Sequence, residues 1–347
     1  MNNHALRSAK PVAIWIFVGV AMLMIQVVLG GITRLTGSGL SITEWKPILG
    51  AFPPMNEHDW QMAFDKYKQI GQYKQINFHF TLSDFKFIYF WEWFHRVWAR
   101  LIAVAFVIPF IIFIIQKRFR KDMILPMIIL FLLGALQGAL GWIMVKSGLN
   151  EENIYVSHFR LAIHFIAAMV LVCYAFWFGL KLTVPSVQFV VKPDLRKFAI
   201  VIIGLLVVQL IYGAFMAGLK AAVAAPTWPT INGNWWPKEI GSDFFSDLIN
   251  IQFIHRSLAY LITIIILIWW WKARSVLQGE WFKRMRSLPL LLVLLQVLLG
   301  ILTVLHSTKP DYLLWLGVTH QFVAMLLLLS WITMVYLLRS KSFARLP

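Results

Sequence analysis

The chain has 347 residues, of which 60% are hydrophobic and 14% charged, and its mean hydropathy is +0.72. Soluble domains are about half apolar and a quarter charged, so this composition excludes a water-soluble globular protein. The 32 Lys and Arg against 15 Asp and Glu give a net charge of +17. Because these basic residues lie in short segments between long apolar runs, they indicate membrane orientation signals and no nucleic-acid partner.

Eight apolar runs are long enough to cross a bilayer of about 30 Å, which predicts an all-α membrane protein. They lie near 12–32, 94–115, 123–145, 158–180, 197–219, 253–271, 288–306 and 313–337. We interpret the first run as a retained helix, since only Arg7 and Lys10 precede it and no small-residue cleavage site accompanies it. The ten residues before it leave no room for a transit peptide, which favours a bacterial inner membrane.

The loops between these runs predict the orientation of the protein. An even number of spans puts both termini on one side, whose segments hold 18 Lys and Arg, whereas the other side holds 10 over far more residues. The denser positive side is expected to be cytoplasmic. Two outside segments are long: 33–93 is expected to contain some helix of its own, and prolines in 220–252 break any regular element.

Weak self-similarity at a period near 160 divides the chain into two halves. The string EWFHR at the start of the second span, 92–96, is matched by QFIHR at the start of the sixth, 252–256. The strings HFIAAM and HQFVAM match in the fourth and eighth spans. Four spans followed by four predict two tandem four-helix bundles, related by a pseudo-twofold axis along the membrane normal. The first half is 1–180 and the second is 181–347.

Four of the nine histidines fall within about two turns of the outer ends of spans 2, 4, 6 and 8: His95, His164, His255 and His320. Ionisable side chains in the bilayer are costly and usually face a functional interior. A His pair on facing helices is typical of axial ligation of haem iron, whereas zinc takes three or four clustered ligands. We therefore predict one bis-histidine haem site in each half.

Small residues accompany these histidines. Gly134, Gly138, Gly141 and Gly300 would allow a flat cofactor to approach closely, and ordinary helix packing explains them equally well.

The two halves differ at one position beside the histidines. Glu92 precedes His95 by three residues, on the same helical face, whereas Gln252 holds the matching position in the second half. This difference indicates that one half does chemistry and the other holds a redox cofactor; the alternative is an interfacial acid with its carboxylate in water. Arg96 and Arg256 are candidates for pairing with haem propionates, or for snorkelling to lipid headgroups.

Three strings resemble one known family closely. They are GGITRLTGSGLSITEWKP over 30–47, FKFIYFWEWFHR over 85–96 and FRLAIH over 159–164. Together with the residues around His255 and His320, they resemble the haem A synthase (Cox15/CtaA) family over essentially the whole chain. The resemblance implies an eight-helix membrane enzyme. It would oxidise the C8 methyl of haem O to a formyl group, giving haem A for cytochrome oxidase.

The resemblance also implies roles for individual residues. His95 and His164 would ligate the substrate haem in the first half, His255 and His320 would hold a haem b cofactor in the second, and Glu92 would be catalytic. Arg96 and Arg256 remain candidate propionate partners.

Further partners are expected, and the chain differs from some members of the family in one feature. The partners are a haem O synthase that delivers substrate, an electron donor that the sequence does not identify, the lipid bilayer and, as an open question, further copies of the chain. Some members carry a cysteine pair in an outside loop. The single cysteine here, Cys173, lies in the fourth span, as expected for the branch without that pair.

One alternative function stays open at this point, a dihaem b-type electron-transfer protein. That role requires one haem near each membrane face, whereas the predicted spans put all four histidines towards the outer side.

Overall fold

The computed structural model of the protein describes residues 3–45, 49–237 and 240–340. Over these residues it is predominantly helical, and two short strands, β1 (Val190–Val191) and β2 (Leu338–Arg339), pair in parallel. The helices are α1 (Asn3–Leu35), α2 (Glu57–Tyr67), α3 (Leu82–Ile115), α4 (Lys121–Lys146), α5 (His158–Thr183), α6 (Pro193–Gly218), α7 (Leu248–Ala273), α8 (Glu280–Met285), α9 (Leu288–Leu305) and α10 (Pro310–Leu337).

The described residues contain eight helical segments that are long and apolar enough to cross a membrane, and the seventh, Glu280–Leu305, comprises α8 and α9. The prediction of an all-α, multi-pass membrane protein with eight spans is confirmed. The predicted start of the second span near residue 94 is wrong, because α3 begins twelve residues earlier. Thr81 and Asp84 form a capping box there, in which the Thr81 N–H donates to the Asp84 carboxylate at 2.8 Å.

The segment between α1 and α3 is a small folded unit at the ends of the helices opposite the start of α1. As predicted, it contains helix of its own, α2 and a π-helical turn at Tyr73–Asn77. The Phe64 and Phe85 rings stack at 5.0 Å between centroids, and Tyr67 is fully buried beside them. Burial raises the pKa of the Tyr67 hydroxyl to about 12, and this hydroxyl donates to Gln72 Oε1 at 2.9 Å.

The segment between α6 and α7 is irregular, as its prolines predict. Its described residues form one 3-10 turn at Ala221–Ala224 and a tight turn in which Ile231 and Asn234 pair. Gly233 lies in this turn with a φ of +87°, a conformation that favours glycine.

The spanning helices form two four-helix bundles that lie side by side. The first contains α1, α3, α4 and α5, and the second contains α6, α7, α9 and α10. The halves meet where α1 and α5 pack against α10 and α6, and the buried core runs along these four central helices.

The bundles close differently. In the second, each helix packs on two neighbours, so that α6, α7, α9 and α10 form a closed ring. In the first, α3 packs on α1 and α4 packs on α5, but α3 and α4 make at most isolated contacts with each other. The first bundle is therefore open along one side, between α3 and α4.

Candidate functional site

The four histidines lie on four helices and on one side of the membrane. His95 is on α3, His164 on α5, His255 on α7 and His320 on α10, each in the N-terminal half of its helix. These helices run in the same direction because each follows an odd-numbered span. All four side chains therefore lie towards the side opposite the start of α1.

The second-half pair has the spacing of two axial ligands. The rings of His255 and His320 lie 6.5 Å apart between centroids, at an interplanar angle of 63°. Two bonds of about 2 Å to one iron, with about 1.1 Å from each nitrogen to its ring centre, separate two such rings by about 6.2 Å. His320 Nδ1 is buried without a hydrogen-bond partner among the described residues. The pair therefore fits a bis-histidine haem.

The first-half pair has the same chemistry in the open bundle. Nδ1 of His95 and Nδ1 of His164 are both buried without a partner in the described part of the chain. Across residues 3–45, 49–237 and 240–340, no three His, Cys, Asp or Glu side chains come together as a metal cluster. Each pair thus offers two imidazole nitrogens, which suits a haem iron better than a zinc ion.

A glutamine supports three of the four histidines. Gln26 Nε2 lies 3.3 Å from His95 Nε2, and Gln296 Nε2 lies 3.1 Å from His320 Nε2. Gln209 Nε2 lies 3.2 Å from Nδ1 of His255 and also donates to its backbone carbonyl. Gln137, the matching residue on α4, has no hydrogen bond to His164 in the described structure.

A glycine follows each of these glutamines by one helical turn and lies under the next histidine ring. A Cβ added at these glycines would come within 3.0 to 3.4 Å of the imidazole Cε1 of the histidine that each faces. The pairs are Gly30 with His95, Gly141 with His164, Gly213 with His255, and Gly300 with His320. A Cβ would crowd the ring at Gly30, Gly141 and Gly300, and would just touch it at Gly213. The four glycines thus let each histidine ring lie close to the backbone of the facing helix.

This pattern as a whole is not among the features predicted from the sequence. Gln-x3-Gly occurs once in each of α1, α4, α6 and α9, the helices that precede the four histidine helices. Of these eight residues, only Gly141 and Gly300 were predicted as helix-lining glycines. The signal that could have found the others is the fourfold recurrence itself. Glycine alone is common at helix contacts in membranes and indicates nothing specific.

Glu92 is buried and fully engaged with the loop that follows α1. Its residue is 2% exposed, which excludes the alternative of an acid with its carboxylate in water. Oε2 accepts from the Ser41 hydroxyl at 2.7 Å and from the Ile42 N–H at 2.8 Å, and Oε1 accepts from Arg96 at 2.6 Å. Because its charge is paired and hydrogen-bonded, the buried carboxylate is tolerated in this apolar place.

Gln252 occupies the same place in the second half, but it donates hydrogen bonds to its loop, whereas Glu92 accepts them. Its Nε2 donates to the carbonyls of Ala221 and Ala222, whereas its Oε1 accepts from Arg256. The loop thus presents carbonyl acceptors to Gln252, but a hydroxyl and an N–H donor to Glu92. The match between the two residues is therefore not evidence that an amide would be accepted at position 92.

Arg96 and Arg256 hold the loops above the two sites. Arg96 donates to the carbonyls of Ile42 and Glu44 at 3.0 and 3.2 Å. Arg256 donates to the carbonyls of Ala225, Thr227 and Thr230 at 2.9 to 3.3 Å. A guanidinium has five N–H donors, so a haem propionate would use those left over. In the structure, both guanidinium groups are hydrogen-bonded to the loops that follow α1 and α6.

Comparison with known proteins agrees with this geometry. Residues 13–332 match the model of the COX15-CtaA family, described as cytochrome oxidase assembly protein. The chain belongs to this family. The family predicted from the sequence strings is thereby confirmed.

Curated relatives of this family member are similar over most of their length. A protein of Flavobacterium psychrophilum named Heme A synthase is 40% identical over 93% of this chain and 96% of the relative. Another of that name, from Nitrosospira multiformis, is 39% identical over 92% of this chain and 90% of the relative. A third, from Parvibaculum lavamentivorans, is 42% identical over 79% of each chain.

In this member of the COX15-CtaA family, the two histidine sites are joined through α1 and α10. Gln321, next to His320, donates from Nε2 to the Val27 carbonyl at 3.1 Å. A Cβ at Gly31 would collide with the Gln321 amide oxygen, so the Gln321 side chain would have to move to admit one. Gly30 faces the His95 ring of one site, and Gly31 faces the neighbour of His320 in the other.

Proposed function

We propose that this member of the COX15-CtaA family is a haem A synthase, which oxidises the C8 methyl of haem O to a formyl group. The curated relatives carry that name over most of the chain. The observation that carries the proposal is the difference between two matched histidine pairs. One lies in a closed bundle beside a neutral amide, and the other lies in an open bundle beside a buried carboxylate. A resident cofactor suits the closed bundle, and a substrate that must enter and leave suits the open one.

His255 and His320 would hold haem b in the second half, within residues 181–347. When bound there, this cofactor would supply one-electron redox chemistry to the reaction. Gly213 and Gly300 let the two rings lie close to the facing helices, and Gln209 and Gln296 lie beside them.

His95 and His164 would ligate the iron of haem O in the first half, within residues 1–180. Two axial ligands fix the porphyrin plane, and Gly30 and Gly141 let the ligands lie close to the facing helices. The C8 methyl would thereby be held at a constant position. A fixed orientation of the reacting group lowers the activation barrier of the oxidation.

Glu92 would act on the protons that methyl oxidation releases. Its Oε2 is committed to the loop through Ser41 and Ile42, whereas Oε1 faces Arg96. We assign Oε1 as the proton acceptor, with Arg96 balancing the charge while the carboxylate is ionised. The loop held by both side chains would cover the outer end of the site and limit the access of water.

The location and partners follow from the same proposal. The basic segments favour an inner membrane with both termini in the cytoplasm. The substrate would come from a haem O synthase, and the electrons from an external donor.

The alternative of a dihaem electron-transfer protein is not favoured. A carrier that moves electrons across the bilayer needs a haem near each face, but all four histidines lie towards one side.

The proposal is tested in cells that make haem O but lack haem A. Expression of the chain should produce haem A, identified by the mass of the extracted haem, and the double variant His95→Ala/His164→Ala should abolish it. Haem O that stays unconverted, in cells where the protein is inserted and carries haem b, would contradict the proposal.

A further inference from the structure

We infer that the opening between α3 and α4 is a subsite for the isoprenoid side chain of the substrate haem. This inference rests on the proposed function, because haem O carries a long isoprenoid chain that haem b lacks. It names the residues that distinguish substrate from cofactor.

A stripe of glycines on α4 leads away from the first histidine pair. Gly134, Gly138 and Gly141 are spaced by four and three residues and therefore share one helix face. Gly141 lies against the ring of His164, whose buried Nδ1 has no partner among the described residues. Gly134 and Gly138 have no heavy atom of the described structure within 4 Å of their Cβ positions. The stripe thus starts at a ligand site and continues as open space.

The second half has no such stripe. Aligning Gln137 and Gly141 with Gln296 and Gly300 places Val293 and Val297 of α9 at the positions of Gly134 and Gly138. Val293 is 3% exposed and packs in the core of the second bundle. The space that is open in the first half is therefore filled in the half that would hold haem b.

The two helices that flank the opening, α3 and α4, pack on α1 and α5 but hardly on each other, and they are only partly buried beyond Glu92 and Leu130. In the described structure, α3 has no buried residue after Glu92, and α4 has none after Leu130. Their counterparts in the closed bundle do, with Ile262 and Ile266 buried on α7 and Val304 on α9. The two helices α7 and α9 thus pack on each other in the second half, whereas their counterparts α3 and α4 in the first half do not.

The opening ends towards the other side of the membrane. Met123, Met127 and Leu130 of α4 are buried against α1 and α5. From Gly141 to Gly134 the stripe covers seven residues, or about 10 Å at 1.5 Å per residue. It is therefore a groove that starts at the histidine pair, faces the lipid along its length and stops near mid-membrane.

An isoprenoid chain fits this groove better than a partner helix does. The groove is continuous with the histidine site, so a chain attached to a porphyrin ligated there would enter it directly. Small residues leave room for a branched chain, and the lipid-facing side lets the chain enter without crossing a protein barrier. A lipid acyl chain would occupy the same space when no substrate is present.

The test compares two haems that differ in this chain. Purified protein with its resident haem b is titrated with haem O and with haem b, and binding to the first half is followed by the Soret band. The variants are Gly138→Val, which copies Val297, and Gly134→Val, which copies Val293. Gly204→Val is the matched control, because Gly204 on α6 also has open space at its Cβ position.

We expect Gly138→Val to weaken haem O binding at least tenfold and to change haem b binding less than twofold. Gly204→Val should change neither. An equal loss for both haems would overturn the inference, since the glycines would then hold the porphyrin or the helix packing. Unchanged haem O binding in both variants would overturn it as well, and would leave the groove to lipid. Gly134→Val gives a second reading if Gly138→Val fails to insert.

Failure of this inference can be told apart from failure of the proposed function. If the wild-type chain converts haem O in cells but the variants bind it normally, only the groove is wrong. If the variants discriminate between the two haems but the wild-type chain makes no haem A, only the reaction is wrong.

Discussion

The buried ion pair of Glu92 and Arg96 gives the sharpest prediction about mechanism. In the wild-type chain, the Glu92 carboxylate accepts from the Ser41 hydroxyl at 2.7 Å and from the Ile42 N–H at 2.8 Å. In Glu92→Gln the amide oxygen can still accept from Arg96, but the amide NH2 group then faces these two donors. The Ser41 hydroxyl can rotate and accept instead. The Ile42 N–H cannot, and it loses its partner.

The cost of this change can be worked from these contacts. An unsatisfied buried N–H costs about 1–3 kcal/mol, and exchanging a charged for a neutral acceptor at Arg96 costs about 1 kcal/mol. We therefore expect Glu92→Gln to lose about 2–4 kcal/mol of local stability in the loop around Ser41. The loss stays in the first half, because Gln252 and Arg256 form the equivalent contacts in the second.

The assay separates the chemical from the structural contribution of the carboxylate. Haem A production and limited proteolysis of the loop are measured for Glu92→Gln and for Ser41→Ala, which loosens the same loop but keeps the carboxylate. We expect both variants to cleave faster in the loop and to keep the haem b spectrum. Only Glu92→Gln should lose most haem A production, at least a hundredfold, with haem O or a partly oxidised haem accumulating.

Two outcomes would refute this reasoning. Wild-type haem A production by Glu92→Gln would mean that the carboxylate has no part in the reaction. Equal losses in Glu92→Gln and Ser41→Ala would mean that Glu92 acts only by holding the loop.

Three further predictions concern the other parts of the structure. His320→Ala should remove the low-spin haem b of the second half, because the iron loses an axial ligand; an unchanged b-type spectrum at full occupancy would contradict the assignment. Gly31→Leu should lower stability by about 1–3 kcal/mol through a clash with Gln321, seen as an earlier thermal transition in detergent, whereas Gly204→Leu should not. Tyr67→Phe should destabilise the outer segment by about 1 kcal/mol, since Gln72 loses its donor. The pKa of Tyr67 is raised to about 12 from an ordinary value near 10, so its contribution is complete below pH 10 and is lost as the pH rises through 12. Loss of the outer segment near pH 12 in the wild-type chain, absent in Tyr67→Phe, would check the sign.

The sequence by itself determined the eight spans and the four histidines. Apolar runs of about 20 residues have few alternatives in a bilayer, because every backbone N–H and C=O must be satisfied within the helix. His95, His164, His255 and His320 could be singled out because ionisable side chains are rare and costly at that depth. The family strings then gave an expected reaction, which no periodicity contains.

The tertiary structure decided what surrounds the histidines. Ser41 and Ile42 lie about fifty residues from Glu92 in the chain, so no local pattern predicts that they bind its carboxylate. The early start of α3 at Leu82 depends on a cap and on packing against α2, both outside the apolar run on which the prediction was based. The opening between α3 and α4 has no hydropathy signal, because lipid and a protein core are equally apolar and a helix facing either has the same composition. Only the packing of the helices shows that one bundle is closed and the other is open.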